Sequence, residues 1–281
     1  MRASSEIHNM AVFCDFENIA LGAREAKFER FEIKILLEKL LVKGSIVVKK
    51  AYCDWERYKE FKKVMHEAAF ELIEIPHVRQ SGKNSADIRL VVDALDLCYT
   101  KAHVDAFVIV SGDSDFSPLV SKLRENNKRV IGIGVRASTS DLLIRNCDEF
   151  LFYDDLARAD ESRRSKSARK PEPRAAPKPK SHTKQAAAAD GTPAVAAEPA
   201  IDARKLIAIE LVAETFQELV AERGSDERIL PSQLKQALTR RHPEFSEAAY
   251  GYKLFGRLLD DAAARALLRL VKDEKSGQTH V

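Results

Sequence analysis

The chain has no run of 18 or more apolar residues, so no helix long enough to cross a bilayer is expected. Met1 to Met10 lack an apolar stretch of the signal-peptide kind, so no secretory leader is expected there, and the chain reads as cytoplasmic. Only four cysteines are present, Cys14, Cys53, Cys98 and Cys147, and they stand singly, mostly inside apolar stretches. None is spaced as a zinc-ligand pair, so buried, reduced thiols are expected. There is no P-loop and no Ser-His-Asp arrangement. The "GIG" at Gly132–Gly134 lies within an expected strand and is too short for a dinucleotide fingerprint. Charge of one sign is also lacking overall, since the net charge is only +3 over 281 residues.

The distribution of charge says more than its sum. Eight basic residues fall between Arg163 and Lys180, inside a stretch (157–202) with no apolar periodicity and much Lys, Arg, Pro, Ser and Ala. Such a composition buries too little apolar surface to offset ordering entropy, so it predicts a flexible linker. Three parts result: a domain over 1–156, the linker over 157–202, and a second domain over 203–281.

The first domain alternates apolar, β-rich runs with amphipathic ones. Strands are expected at Met10–Phe16, Ser45–Cys53, Leu72–His77, Ala106–Ser111, Arg129–Val135 and Phe150–Tyr153. Helices are expected at Ile33–Val42, Glu56–Ala69, Ala86–Tyr99 and Phe116–Asn126, with a short one before the last strand. Strands apolar on both faces and joined by helices predict a parallel, three-layer α/β sheet. In such sheets the site lies beyond the carboxyl ends of the strands. The second domain reads as mainly helical: Leu206–Arg223, Ser232–Arg241 opened by Pro231, and Gly251–Asp260, closed by a strand at Ala266–Val271. That order fits a small winged-helix module.

Aspartates fall at the ends of these elements. Asp15 ends the first strand in "AVFCDFEN", Asp113 and Asp115 follow the central strand in "VIVSGDSDF", and Asp87 opens a helix in "KNSADIRLVVDAL". Gathered carboxylates repel one another unless a cation compensates them. Oxygen-only ligands favour Mg²⁺ or Mn²⁺, and such ions bind phosphate oxygens and activate water. Helix capping competes with this reading, most strongly for Asp115, which precedes the helix at Phe116, and for Asp54. Helical projection sets Asp87 beside a stripe of Ile88, Val91, Val92 and Leu95 expected to face the sheet. It puts Asp93 on the polar side, within i,i+4 reach of Arg89. Arg79 and Lys83, flanking Gly82 just before Asp87, and Arg136, beyond a strand end, are candidate phosphate contacts.

Three motifs together carry a resemblance: Asp15 with Asn18 (D-x-x-N), the "ADIRLVVDAL" that starts at Ala86, and the "SGDSDF" that starts at Ser111. In that order they resemble the NYN family of PIN-like nucleases, in particular its LabA-like branch. The resemblance implies an RNA-cleaving, Mg²⁺- or Mn²⁺-dependent hydrolase. It implies that Asp15, Asp87 and Asp113 hold metal, with Asp115 as a further acid. Asn18 and Ser111 would orient substrate or water, and Asp93 matches an acidic position of the family. The stretch "LPSQLKQALTRRHPEFSEAAYGYKLFGRLLDD", with Pro243, Phe245, Tyr250, Gly251 and Phe255, resembles a LOTUS (OST-HTH) domain. That likeness implies RNA binding or docking of a protein partner without chemistry. Within it, Lys235, Arg240, Arg241 and Lys253 are candidate backbone contacts, Tyr250 or Tyr252 a candidate base-stacking ring, and His242 a C-cap. Homodimerisation is left open. The competing expectation is a non-catalytic RNA-binding or regulatory scaffold on the same fold. A haloacid-dehalogenase-like phosphatase fits less well, because Asp15 is followed by Phe16 and Glu17 where a second aspartate is needed.

Overall fold

A computed structural model describes residues 8–28, 31–75, 85–168, 203–223, 229–272 and 279–281. Arg79 and Lys83 lie outside the described residues. Among these residues no helix is long and apolar enough to cross a membrane.

Six parallel strands form the first domain's sheet: β1 (His8–Asp15), β2 (Gly44–Cys53), β3 (Glu71–Glu74), β4 (Ala106–Val110), β5 (Arg129–Gly134) and β6 (Glu149–Phe152). Their spatial order is β3-β2-β1-β4-β5-β6, so the order reverses between β1 and β4. Register across this central pair runs from Met10 opposite Ala106 to Cys14 opposite Val110. The crevice beyond the carboxyl ends of β1 and β4 is therefore the topological switch point, where α/β sheets bind ligands.

Alternation along the strands builds two cores. Met10, Val12 and Cys14 of β1 face one layer, with α1 (Phe16–Glu25), α2 (Ile33–Leu41), α3 (Lys59–Glu67) and the start of α7 (Tyr153–Ala168). Ala11 and Phe13 face the other layer, with α4 (Ser85–Thr100), α5 (Ser117–Glu125) and α6 (Asp141–Asn146). Ala106 to Val110 are fully buried, as a strand covered on both faces must be. The expected three-layer α/β architecture is the one observed.

Three differences from the sequence reading have physical causes. The first strand ends at Asp15, and Phe16 opens a helix the sequence reading did not predict. Its apolar positions Phe16, Ile19, Ala20 and Ala23 keep helical spacing, but Gly22 and the short length weaken the signal. Helix α4 buries Leu90, Ala94 and Cys98, whereas Ile88 and Val92, expected to face the sheet, stand 63% and 56% exposed. Lastly, α7 continues to Ala168, twelve residues into the stretch expected to be linker.

Residues 203–281 contribute α8 (Ala203–Arg223), α9 (Pro231–Arg241), α10 (Phe255–Ala264) and an antiparallel ribbon of β7 (Val271–Lys272) with β8 (Thr279–His280). They have their own core, with Ala208, Val212, Leu234, Leu238, Leu258 and Leu259 at its centre. Val281 N–H donates to the Ile229 carbonyl at 2.8 Å and closes the ribbon against the entry to α9. The strand expected at Ala266–Val271 is displaced towards the C-terminus. Ala266 instead takes φ 58 and ends α10, its N–H and that of Leu267 returning to the carbonyls of Ala263 and Ala262.

Candidate active site

Asp15 is both the last residue of β1 and the N-cap of α1. Its Oδ1 accepts the Asn18 N–H at 3.3 Å, and its Oδ2 accepts the Ser111 hydroxyl at 3.0 Å. The residue is only 7% exposed. Phe16 fixes this junction from below, since its buried ring lies 5.0 Å from Trp55, 5.1 Å from Phe61 and 5.6 Å from Tyr58.

The loop after β4 is tied to the same point. Asn18 Oδ1 accepts the Gly112 N–H at 2.9 Å, and Ser111 Oγ accepts the Asp113 N–H at 3.2 Å. Asp113 in turn caps the short turn Ser114–Phe116, its Oδ1 accepting the Asp115 N–H at 2.9 Å. The capping role expected of Asp115 thus falls to Asp113, and Asp115 sits exposed inside the turn. No side chain fits at Gly112, where a Cβ would strike the Ser138 carbonyl and reach Thr139 Cα at 2.9 Å. That close approach packs the β4 loop against the loop after β5.

Asp87 lies in the first turn of α4, on the stripe continued by the buried Leu90 and Ala94, so it projects towards the strand ends. Electrostatics join it to the others. Burial pushes the Asp15 carboxyl up to about 7, with Asp87 and Asp113 adding repulsion against the hydrogen bonds from Asn18 and Ser111. Burial likewise lifts Asp87 to about 6, helped by the negative charges of Asp113, Asp115 and Glu17. Four aspartates and a glutamate therefore feel one another in a single crevice.

Among the described residues none of the four aspartates forms an ion pair, whereas Glu17 is matched by Arg57. This is excess negative charge on oxygen-only donors, the donor set a hard divalent ion takes. Among the same residues no three acidic, His or Cys side chains already close round a common point. The set fits an ion that keeps most of its water and binds through one or two carboxylates directly, as Mg²⁺ commonly does.

Other predicted residues are placed elsewhere. Asp93 is held away from the crevice by Tyr52 OH at 2.9 Å, Arg89 Nε at 3.1 Å and Lys50 Nζ at 3.4 Å, so its charge is already matched. The Arg136 guanidinium stacks 3.8 Å from the Phe152 ring and donates to Asp155 at 2.9 Å. Asp54 caps locally, accepting the Glu56 N–H at 3.1 Å. The sequence reading missed Glu17, which lies beside Asp87 and pairs with Arg57 at 3.2 Å. Its place inside D-F-E-N, two residues after Asp15, was the available signal.

In the second domain His242 is the C-cap of α9, as expected. Of the four candidate cations, Lys235 is paired with Glu247 at 2.5 Å and Arg241 with Glu218 at 2.8 Å, while Arg240 and Lys253 are exposed. Tyr252 is only 5% exposed and donates to Asp261 at 2.9 Å, which removes it as a stacking platform. Tyr250 stacks on Phe245 with centroids 5.3 Å apart.

A parallel six-stranded sheet with acids converging at the β1/β4 switch point places this protein in the PIN-like class of nuclease folds. More narrowly, the chain belongs to the NYN domain family, whose profile matches residues 9–154. A solved structure of a protein of unknown function from Vibrio parahaemolyticus is 28% identical, with a TM-score of 0.48, covering 56% of this chain and 98% of its own. No match was found among curated proteins.

Proposed function

We propose that this chain is a metal-dependent ribonuclease that hydrolyses RNA phosphodiesters at the switch-point crevice. The carrying observation is the group of uncompensated carboxylates, Asp15, Asp87, Asp113 and Asp115, coupled to one another where β1 and β4 end. Two of them are raised to about 7 and about 6, so the crevice holds negative charge that only a cation or protons relieve.

Asp15, Asp87 and Asp113 would hold Mg²⁺ or Mn²⁺, with Asp115 as the outer acid. When bound, such an ion polarises the phosphodiester and lowers the pKa of water. The protein's own residues do the positioning. Ser111 fixes the Asp15 carboxylate from one side and the Asp113 backbone from the other. Asn18 locks the Gly112 peptide, which keeps the two strand-end loops in register. Asp115, which is exposed, would orient water or accept its proton. Lys83 and Arg79 remain the candidates for gripping phosphate.

We assign residues 203–281 to a LOTUS-like module that binds RNA or a protein partner and does no chemistry, joined to the nuclease through the basic stretch before it. Three helices, a ribbon and a separate core support this reading. Tethering raises the local concentration of substrate without new contacts at the crevice.

A second reading, a non-catalytic RNA-binding scaffold, is favoured by one observation: among the described residues no three acidic, His or Cys side chains close round a common point. Incubating the purified chain with end-labelled RNA and Mn²⁺ separates the two. Cleavage lost in Asp113→Asn supports the nuclease, and RNA binding without cleavage supports the scaffold.

A further inference from the structure

Ile88 and Val92 are placed where a sheet-facing stripe was expected, yet both are exposed, at 63% and 56%. Beside them Leu142 of α6 is 57% exposed. These side chains form one wall of a cavity of about 720 Å³. Pro118 and the hydroxyl residues Ser114, Ser117 and Ser121 line the cavity as well, and Asp87 and Asp115 stand on its rim. Ser117 is only 6% exposed, and its Oγ has no hydrogen-bond partner among the described residues. Branched aliphatic groups left in water beside an unsatisfied buried hydroxyl are an arrangement that a ligand completes.

We propose that this cavity between α4 and α5 is a nucleobase subsite, seating the base of the nucleotide whose phosphate lies at the carboxylates. A base has a flat apolar face for Ile88, Val92 and Leu142, and polar edges for the serine hydroxyls. The cavity is continuous with the crevice through Asp87 and Asp115, so a base held there leaves its phosphate at the acids. Its size lies within the ordinary range of small-molecule sites. Ser117, able to donate or accept, is the residue that discriminates between base edges. A second copy of this chain is a poorer occupant, because acids on the rim of two facing copies would repel.

The inference rests on the nuclease reading for its substrate but is testable without it. Free nucleosides carry no phosphate, so they need neither metal nor cleavage to enter the cavity. Full-length protein with labelled Ile, Leu and Val methyl groups is titrated with adenosine, guanosine, cytidine and uridine, and read by NMR. The expected result is saturable shifts confined to the methyls of Ile88, Val91, Val92 and Leu142. Val92→Asp should weaken binding at least about tenfold, and Ser117→Ala should alter the order of preference among the four nucleosides. Absence of shifts at these methyls for all four, or unchanged affinity in Val92→Asp, overturns the subsite even if the chain cleaves RNA. Methyl signals that broaden with protein concentration, with a dimer seen by sedimentation, overturn it in favour of self-association. Nucleoside binding in a chain that cleaves nothing leaves the subsite standing and removes the nuclease.

Discussion

Ser111 holds Asp15 in place: its hydroxyl donates to Asp15 Oδ2 at 3.0 Å while its oxygen accepts the Asp113 N–H at 3.2 Å. One fully buried side chain thus links the acids at the ends of β1 and β4. Ser111→Ala removes both bonds and leaves a buried carboxylate oxygen without a donor. The expected loss is about 1–3 kcal/mol of stability, with weaker metal binding. Chemical denaturation and Mn²⁺ titration of the variant check both. Unchanged metal affinity would mean that Ser111 only supports the fold.

The raised pKa values of Asp15 and Asp87 give a pH dependence opposite to that of a salt-bridged aspartate. In the folded, metal-free protein Asp15 titrates at about 7 rather than at the ordinary 3.8, so the native state binds more protons between those values. Stability contributed by this group therefore falls as pH rises from about 4 to about 7, and stays low above that. Asp87 acts in the same direction up to about 6. Asp15→Asn should relieve this penalty, on the order of 4 kcal/mol at pH 8. It should raise the metal-free melting temperature by roughly 5–10 °C there and do little at pH 4. Mn²⁺ should stabilise the wild type at pH 8 and leave the variant unmoved. Calorimetry at the two pH values, with and without Mn²⁺, reads all of these.

Gly112 is required by contact rather than by backbone angle. A methyl group there meets the Ser138 carbonyl and Thr139 Cα, both backbone and unable to swing aside. Gly112→Ala should separate the β4 loop from the loop after β5, break the Asn18 bond to the Gly112 N–H, and destabilise by about 1–3 kcal/mol. Loss of cleavage should exceed loss of folded protein, measured by circular dichroism beside the RNA assay.

Asp93 separates structural from chemical acids. It is matched by Tyr52, Arg89 and Lys50, and its side chain is 12% exposed. Asp93→Ala should lower stability by roughly 2–3 kcal/mol while Mn²⁺ affinity of the folded protein stays near wild type. A large drop in Mn²⁺ affinity would return Asp93 to the site.

The sheet was legible because its strands are apolar on both faces, and Ala106–Val110 leaves no other reading. Asp15 and Asp113 were visible because they end or follow such strands, and Asp87 because it opens a helix. Helix α1 escaped notice because Phe16 continues the apolar run of β1, and because the helix is short and contains Gly22. The outward turn of Ile88 and Val92 was hidden for a different reason. Periodicity gives a stripe, but which neighbouring residues face the sheet depends on how the helix is rotated, and Leu90, Ala94 and Cys98 decide that. Arg136 looked available from its place after a strand, while its partners Phe152 and Asp155 come from β6 and α7. Such long-range pairings leave no local trace.

On the proposed function, the switch-point carboxylates hold a divalent ion that cleaves RNA. The most direct measurement is the single-turnover cleavage rate of a labelled single-stranded RNA with and without Mn²⁺, for wild type and for Asp113→Asn. The expected result is Mn²⁺-dependent cleavage by the wild type, abolished by chelator and reduced at least about a hundredfold in the folded variant, on the order of 3 kcal/mol of transition-state stabilisation. Cleavage that persists equally in Asp113→Asn, or an absence of cleavage by wild-type protein shown to bind both Mn²⁺ and RNA, would contradict it.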